Sequence, residues 1–131
     1  MEKIELEFFA TPRLSPSYVI VVVLTLDETG KHYIVSYEDG FADTINKLSG
    51  KQEEKPSFPL PKRVLDAFTE DAINKILSKD EIPNESGMEV LDGNHYEITI
   101  TKGGIRKKYD ADDASIETYP LLRYLASWYR R

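Results

Sequence analysis

Residues Tyr18 to Leu26, Tyr-Val-Ile-Val-Val-Val-Leu-Thr-Leu, restrict the folds open to this chain more than any other segment. Valine and isoleucine branch at Cβ, which stiffens χ1 and favours extended backbone. The run is apolar at both odd and even positions, so neither face of the strand it forms would be polar. That pattern predicts a strand in the interior of a sheet, covered on both sides. As a helix it is far too short to cross a bilayer, which takes about 20 apolar residues.

The neighbouring segments supply partners for such a strand. Ile4, Leu6 and Phe8 alternate with Glu5, Glu7 and Phe9 in the period-two pattern of a half-buried strand. Thr11-Pro12 through Ser15-Pro16-Ser17 reads as a loop, because proline fixes φ and removes an amide donor. Asp27-Glu28-Thr29-Gly30 is a turn, and Lys31 to Glu38 returns as a strand with Tyr33, Val35 and Tyr37 on one face. From Asp39 to Pro59 the composition is polar, with a helical turn fitting Ala42 to Leu48, and a mobile loop is expected over about 39–59.

Pro61 is placed to open a helix. Val64, Leu65, Phe68, Ala72, Ile73, Ile76 and Leu77 then recur at three- and four-residue spacing. Thr69-Glu70-Asp71 has the form of a second N-cap followed by acidic first-turn residues, which would divide this helix in two. Met88 to Leu91 reads as a short strand, Asp92-Gly93 as a hairpin turn, and Tyr96, Ile98 and Ile100 as the buried side of the next strand. Gly103-Gly104 turns the chain again, and Ile105, Lys107 and Tyr109 return. Pro120 opens a last helix bearing Leu121, Leu122, Leu125, Trp128 and Tyr129. Hairpins followed by helices predict one α+β domain over residues 1–131. Its mainly antiparallel sheet has five to six strands, with two helices, near 61–78 and 119–130, on one face.

Chemistry-bearing residues are few. The chain has no cysteine, so disulfides, thiolate nucleophiles and cysteine-bound zinc are excluded. There is no nucleophile elbow, phosphate-binding glycine loop or dinucleotide fingerprint. The only two histidines lie in matching settings, Gly30-Lys31-His32-Tyr33 and Gly93-Asn94-His95-Tyr96. Histidine serves proton transfer and metal binding near neutral pH. However, Asp27, Asp92 and Glu97 near them show no ligand spacing such as His-x-x-x-His. The simpler expectation puts both histidines on the solvent face beside their turns, with the adjacent tyrosines pointing inward. Asp110, Asp112 and Asp113 begin like a calcium loop, but Ala114 and Leu121 stand where ligands belong, so a solvated acidic loop is expected.

Seventeen Lys and Arg against 23 Asp and Glu give a net charge of −6. Phosphate-backbone binding needs clustered positive charge. Lys102, Arg106, Lys107 and Lys108, with Arg130 and Arg131, form the one basic group, and lysines on an exposed strand also discourage edge pairing. Nucleic acid and membrane are therefore not expected as partners, and no cofactor is. The N-terminus lacks the apolar core of a signal peptide, so the Asn84-Glu85-Ser86 sequon carries no weight and a cytoplasmic location is expected.

The functional expectation is a non-enzymatic, acidic protein-binding module, of immunity or accessory type, that covers a basic partner. Glu38, Asp39 and Asp43 around Phe41, with Tyr124 off the stripe of the last helix, are its candidate contacts. The alternative is a small-ligand or weakly hydrolytic domain whose pocket, between sheet and helices, is lined by Tyr33, Tyr37, Tyr96 and Tyr109 with His32 or His95.

Overall fold

The computed structural model describes residues 2–12, 18–41, 61–82 and 94–129, with side chains at all of these except 12, 18, 19, 36–41, 128 and 129. The expected strand Met88–Leu91, the Asp92-Gly93 turn and most of the 39–59 loop lie outside the described residues. Five strands, β1 Ile4–Pro12, β2 Tyr18–Leu26, β3 His32–Phe41, β4 Asn94–Lys102 and β5 Ile105–Asp112, form one antiparallel sheet in the order β3-β2-β1-β4-β5. Among the described residues, three α-helices, α1 Lys62–Ala67, α2 Glu70–Leu77 and α3 Pro120–Tyr129, and a 3-10 turn Ser115–Thr118 accompany the sheet in an α+β fold.

Period-two alternation decides which face the helices cover. Ile4, Leu6, Phe8 and Ala10 of β1 are buried, as are Ile20, Val22, Leu24 and Leu26 of β2. Tyr96, Ile98 and Ile100 of β4 join them, with Tyr109 and Ala111 of β5. Val64 of α1, Phe68 at the α1–α2 junction, Ile73 and Ile76 of α2, and Leu121, Leu122, Leu125 and Ala126 of α3 belong to the same core. β2 does lie inside the sheet, but Val21 and Val23 on its opposite face are only half-buried. Among the described residues its apolar second face is sheltered by neighbouring strands within the sheet, not by a second layer of helices. The middle strand is β1, whose open face carries Glu5 and Glu7.

The break between α1 and α2 falls where the cap grammar put it. Thr69 is extended, and its hydroxyl accepts from the Ala72 amide at 3.1 Å, a cap that stabilises a helix by about 1 kcal/mol. β4 and β5 then grip α2 along its length. Lys102 Nζ donates to Asn74 Oδ1 at 2.7 Å and lies 3.3 Å from Glu70. Lys107 Nζ donates to the Leu77 carbonyl at 3.1 Å. The Tyr109 hydroxyl lies 3.1 and 3.0 Å from the carbonyls of Ile76 and Lys79, tying β5 to the C-terminal end of α2. Burial pushes the Tyr109 phenol above its ordinary value, with Tyr119 and Asp80 adding to the shift.

Turn chemistry sets both hairpins. In the first, Asp27 Oδ1 accepts from the Thr29 hydroxyl at 2.6 Å, the Thr29 amide at 2.8 Å and the Lys31 amide at 3.0 Å, while Gly30 takes φ +89°. The Thr29 hydroxyl, more than the other donors, holds the Asp27 carboxyl at about 2 against its ordinary 3.8. A depressed carboxyl favours folding in its ionised form, so this contribution is whole above pH 3.8 and fades as pH falls through 2. The Asp27 side-chain carboxyl carbon should accordingly titrate near 2 by NMR. A midpoint at the ordinary value would mean that these bonds to Asp27 do not form in solution. In the second hairpin Gly103 has φ +59° and Gly104 does not share the positive angle, which matches a primed turn with glycine at its first central position. No helix among the described residues is long and apolar enough to cross a membrane.

Candidate functional site

The two Gly-x-His-Tyr units face opposite ways. His32 stands across from Leu26 and turns toward the helices, where its Nε2–H donates to the Phe68 carbonyl at 2.7 Å and its ring packs on Phe68. Tyr33 beside it is 49% exposed, whereas Tyr96 of the second unit is 0% exposed. The expectation of solvent-facing histidines and inward tyrosines therefore holds for the second unit and is reversed in the first. A register shift between Val23 and Leu24 accompanies the difference. On one side of that bulge Tyr37 pairs with Val22 and on the other Tyr33 pairs with Thr25, so the two positions do not keep one phase. Asp27 raises the Tyr33 phenol by accepting its hydrogen bond and by its charge.

His32 is thus committed to holding β3 against the α1–α2 junction, and His95 is the histidine placed for chemistry. It lies on the open face of β4 with Glu97, two residues on, and opposite Glu97 stands Asp110 of β5. His95 Nε2 is 3.5 Å from Asp110 Oδ1, with the two side chains 35% and 70% exposed. One ring nitrogen of His95 and one carboxylate oxygen each from Glu97 and Asp110 lie within 4.8 Å of one another. Lys108 Nζ stands 3.2 Å from Glu97 Oε1 on the same face.

The neighbouring aspartates fix this group in place and do not form a solvated loop. Asp112 Oδ1 accepts from the Ser115 amide at 2.8 Å and its hydroxyl at 2.9 Å, starting the 3-10 turn. Asp113 accepts from the Asn94 amide at 3.0 Å, from the Asn94 side chain and from the buried Tyr96 hydroxyl. The residues on either side of His95 are thereby tied to one carboxylate. The Asp112-x-x-Ser115 spacing, a carboxylate three residues before a serine, is the local signal in the chain for this turn. Two carboxylates and a histidine on paired strands had no signal of helical spacing to find.

The remaining predicted residues are dispersed. Tyr96 packs on Phe8 at 5.4 Å between ring centroids, and Tyr109 spans to α2, so both are built into the core. A cavity of about 500 Å³ lies between α1–α2 and the start of α3, where Ala67, Ala72, Ile76, Lys79, Tyr119 and Leu121 line it. Of the tyrosines expected around a pocket, Tyr33, Tyr96 and Tyr109 do not line this one. Tyr124 is half-buried, with Arg63 and Arg123 over its ring at 5.8 and 5.3 Å from the centroid. The side chains of Tyr37, Glu38, Asp39 and Phe41, and all of Asp43, Arg130 and Arg131, lie outside the described residues. Of the basic group, Lys102 and Lys107 turn inward to α2 and Lys108 pairs with Glu97.

Compared with known proteins, the chain matches no family model, no curated protein and no solved structure.

Proposed function

We propose that this protein is a binding module and that the open face of its sheet receives a basic partner protein. One observation carries the reading. Among the described residues the helices cover one face of the sheet, while the other presents half-buried Phe9, Val21 and Val23 beside the carboxylates of Glu5, Glu7, Glu97 and Asp110. Apolar surface at the centre of a patch supplies affinity, and charge around it selects and steers a partner of opposite sign. The net charge of −6 acts in the same direction.

The test compares immobilised native chain with a Glu7→Lys, Glu97→Lys double variant, in extracts of the source organism. A basic protein retained by the native chain, released by raised salt and lost from the double variant is the expected result. Exposed Glu117, on the 3-10 turn, supplies a Glu117→Lys control that keeps the partner. Identical retention by the native chain and the double variant overturns the reading. The cavity beside Tyr119 supports a second, small-ligand reading, since its volume is in the range of ligand pockets. The same capture separates the two, because a ligand in that cavity does not depend on Glu7 or Glu97.

A further inference from the structure

We propose that His95, Glu97 and Asp110 form a binding site for a divalent transition-metal ion of zinc type. This does not rest on the partner-binding reading. Residues i and i+2 of a strand share a face, and neighbouring strands run about 4.8 Å apart. His95, Glu97 and the facing Asp110 therefore occupy the corners of a small triangle on one rigid ladder. The ligand atoms are already gathered within 4.8 Å before any ion is considered. Zinc bonds to nitrogen and oxygen of about 2.0–2.2 Å in a tetrahedron put adjacent ligand atoms about 3.4 Å apart. His95 Nε2 and Asp110 Oδ1, at 3.5 Å, stand at that spacing, and Glu97 closes the triangle by a change of its flexible side chain.

The charge arrangement points to a cation. Glu97 and Asp110 are directly opposite one another on paired strands, a placement that costs energy for like charges. A dication between them turns that repulsion into attraction. The imidazole selects among cations, because calcium and magnesium take oxygen ligands whereas zinc and its neighbours take nitrogen as well. Asp112 and Asp113 do not compete, since Ser115, Asn94 and Tyr96 occupy them. Their bonds instead fix the strand ends that carry the ligands. Phe9 stands beside Glu97 on β1 and walls one side with apolar surface. Three protein ligands leave a coordination position for water, the pattern of zinc sites that do chemistry and not of closed structural ones.

Lys108 makes the site readable by experiment. Its ammonium competes for Glu97, yet its side chain is 59% exposed and free to swing into water. Calorimetric titration of the full chain with zinc chloride should show saturable one-to-one binding. His95→Ala, and separately Glu97→Gln with Asp110→Asn, should weaken it about tenfold or more. Lys108→Met should tighten it severalfold, an effect in the opposite direction that loss of fold cannot mimic. In the native protein zinc should shift the ring resonances of His95 and leave those of His32 in place. No saturable binding by the native chain, binding undiminished in His95→Ala, or zinc shifts at His32 in place of His95 would each overturn the assignment.

Discussion

Phe8→Ala is expected to lower stability by about 3–5 kcal/mol, the range for removing a buried phenylalanine and leaving a cavity. Phe8 is 1% exposed on β1, the middle strand, opposite Val22 on one side and Ile98 on the other. Its ring also packs on Tyr96, so both neighbouring strands and the helix layer lose contacts together. A domain of this kind has about 5–15 kcal/mol in total, which makes the loss a large fraction of the whole. Urea unfolding should show a lower midpoint, and the thermal midpoint should fall by roughly 10–20 °C. Phe9→Ala is the internal control. Phe9 is adjacent in the chain but half-buried on the open face across from Val21, and its loss should cost about 1 kcal/mol through cross-strand contact. Equal costs for the two would mean that the open face is covered in solution, and the surface proposed to receive a partner would not exist.

The contrast between those neighbours was legible in the chain, because alternation is a local property. Ile4, Leu6 and Phe8, and again Tyr96, Ile98 and Ile100, declared their buried side two residues at a time. Thr69 declared the break between α1 and α2 in the same way, since a cap is settled by the few residues around it. The order β3-β2-β1-β4-β5 was not legible. It depends on which strands meet across long separations, and Tyr18–Leu26 looked more central than Ile4–Pro12 because its open face is apolar while Glu5 and Glu7 mark that of β1. The facing of His32 was hidden for a related reason. One residue inserted at a bulge resets every side chain beyond it, and the chain around Val35 carries no glycine to announce it.

The candidate site shows the same division. His95 and Glu97 are two apart, the spacing that puts side chains together on a strand, but a search for three- and four-residue helical spacing passes over it. Asp110 could be added only once β4 and β5 were in register, where Glu97 and Asp110 face each other. Lys102 and Lys107 are the converse case. They look like part of a basic surface in the sequence, and pairing places them toward α2, with only their alternate neighbours on the open face.

Asp113→Ala is expected to cost about 2–4 kcal/mol, the range for removing a charged acceptor that serves several donors in a partly buried position. Its carboxylate receives the Asn94 amide, the Asn94 side chain and the hydroxyl of Tyr96, whose ring is fully buried. Tyr96→Phe removes only the last of these and should cost less, with the Asn94 bonds left in place. The double variant should therefore be more stable than the sum of single losses implies, by a coupling of about 1 kcal/mol or more measured in urea. The consequence for the open face is separate from stability. Asn94 and Tyr96 flank His95, so Asp113→Ala frees the backbone that aims the imidazole without touching Glu97 or Asp110. Zinc affinity should then fall in the folded variant, while Tyr96→Phe, which keeps the Asn94 amide bond, leaves it closer to native. Equal affinity in the native chain and folded Asp113→Ala would show that His95 needs no such anchoring, and that the aspartate serves the core alone.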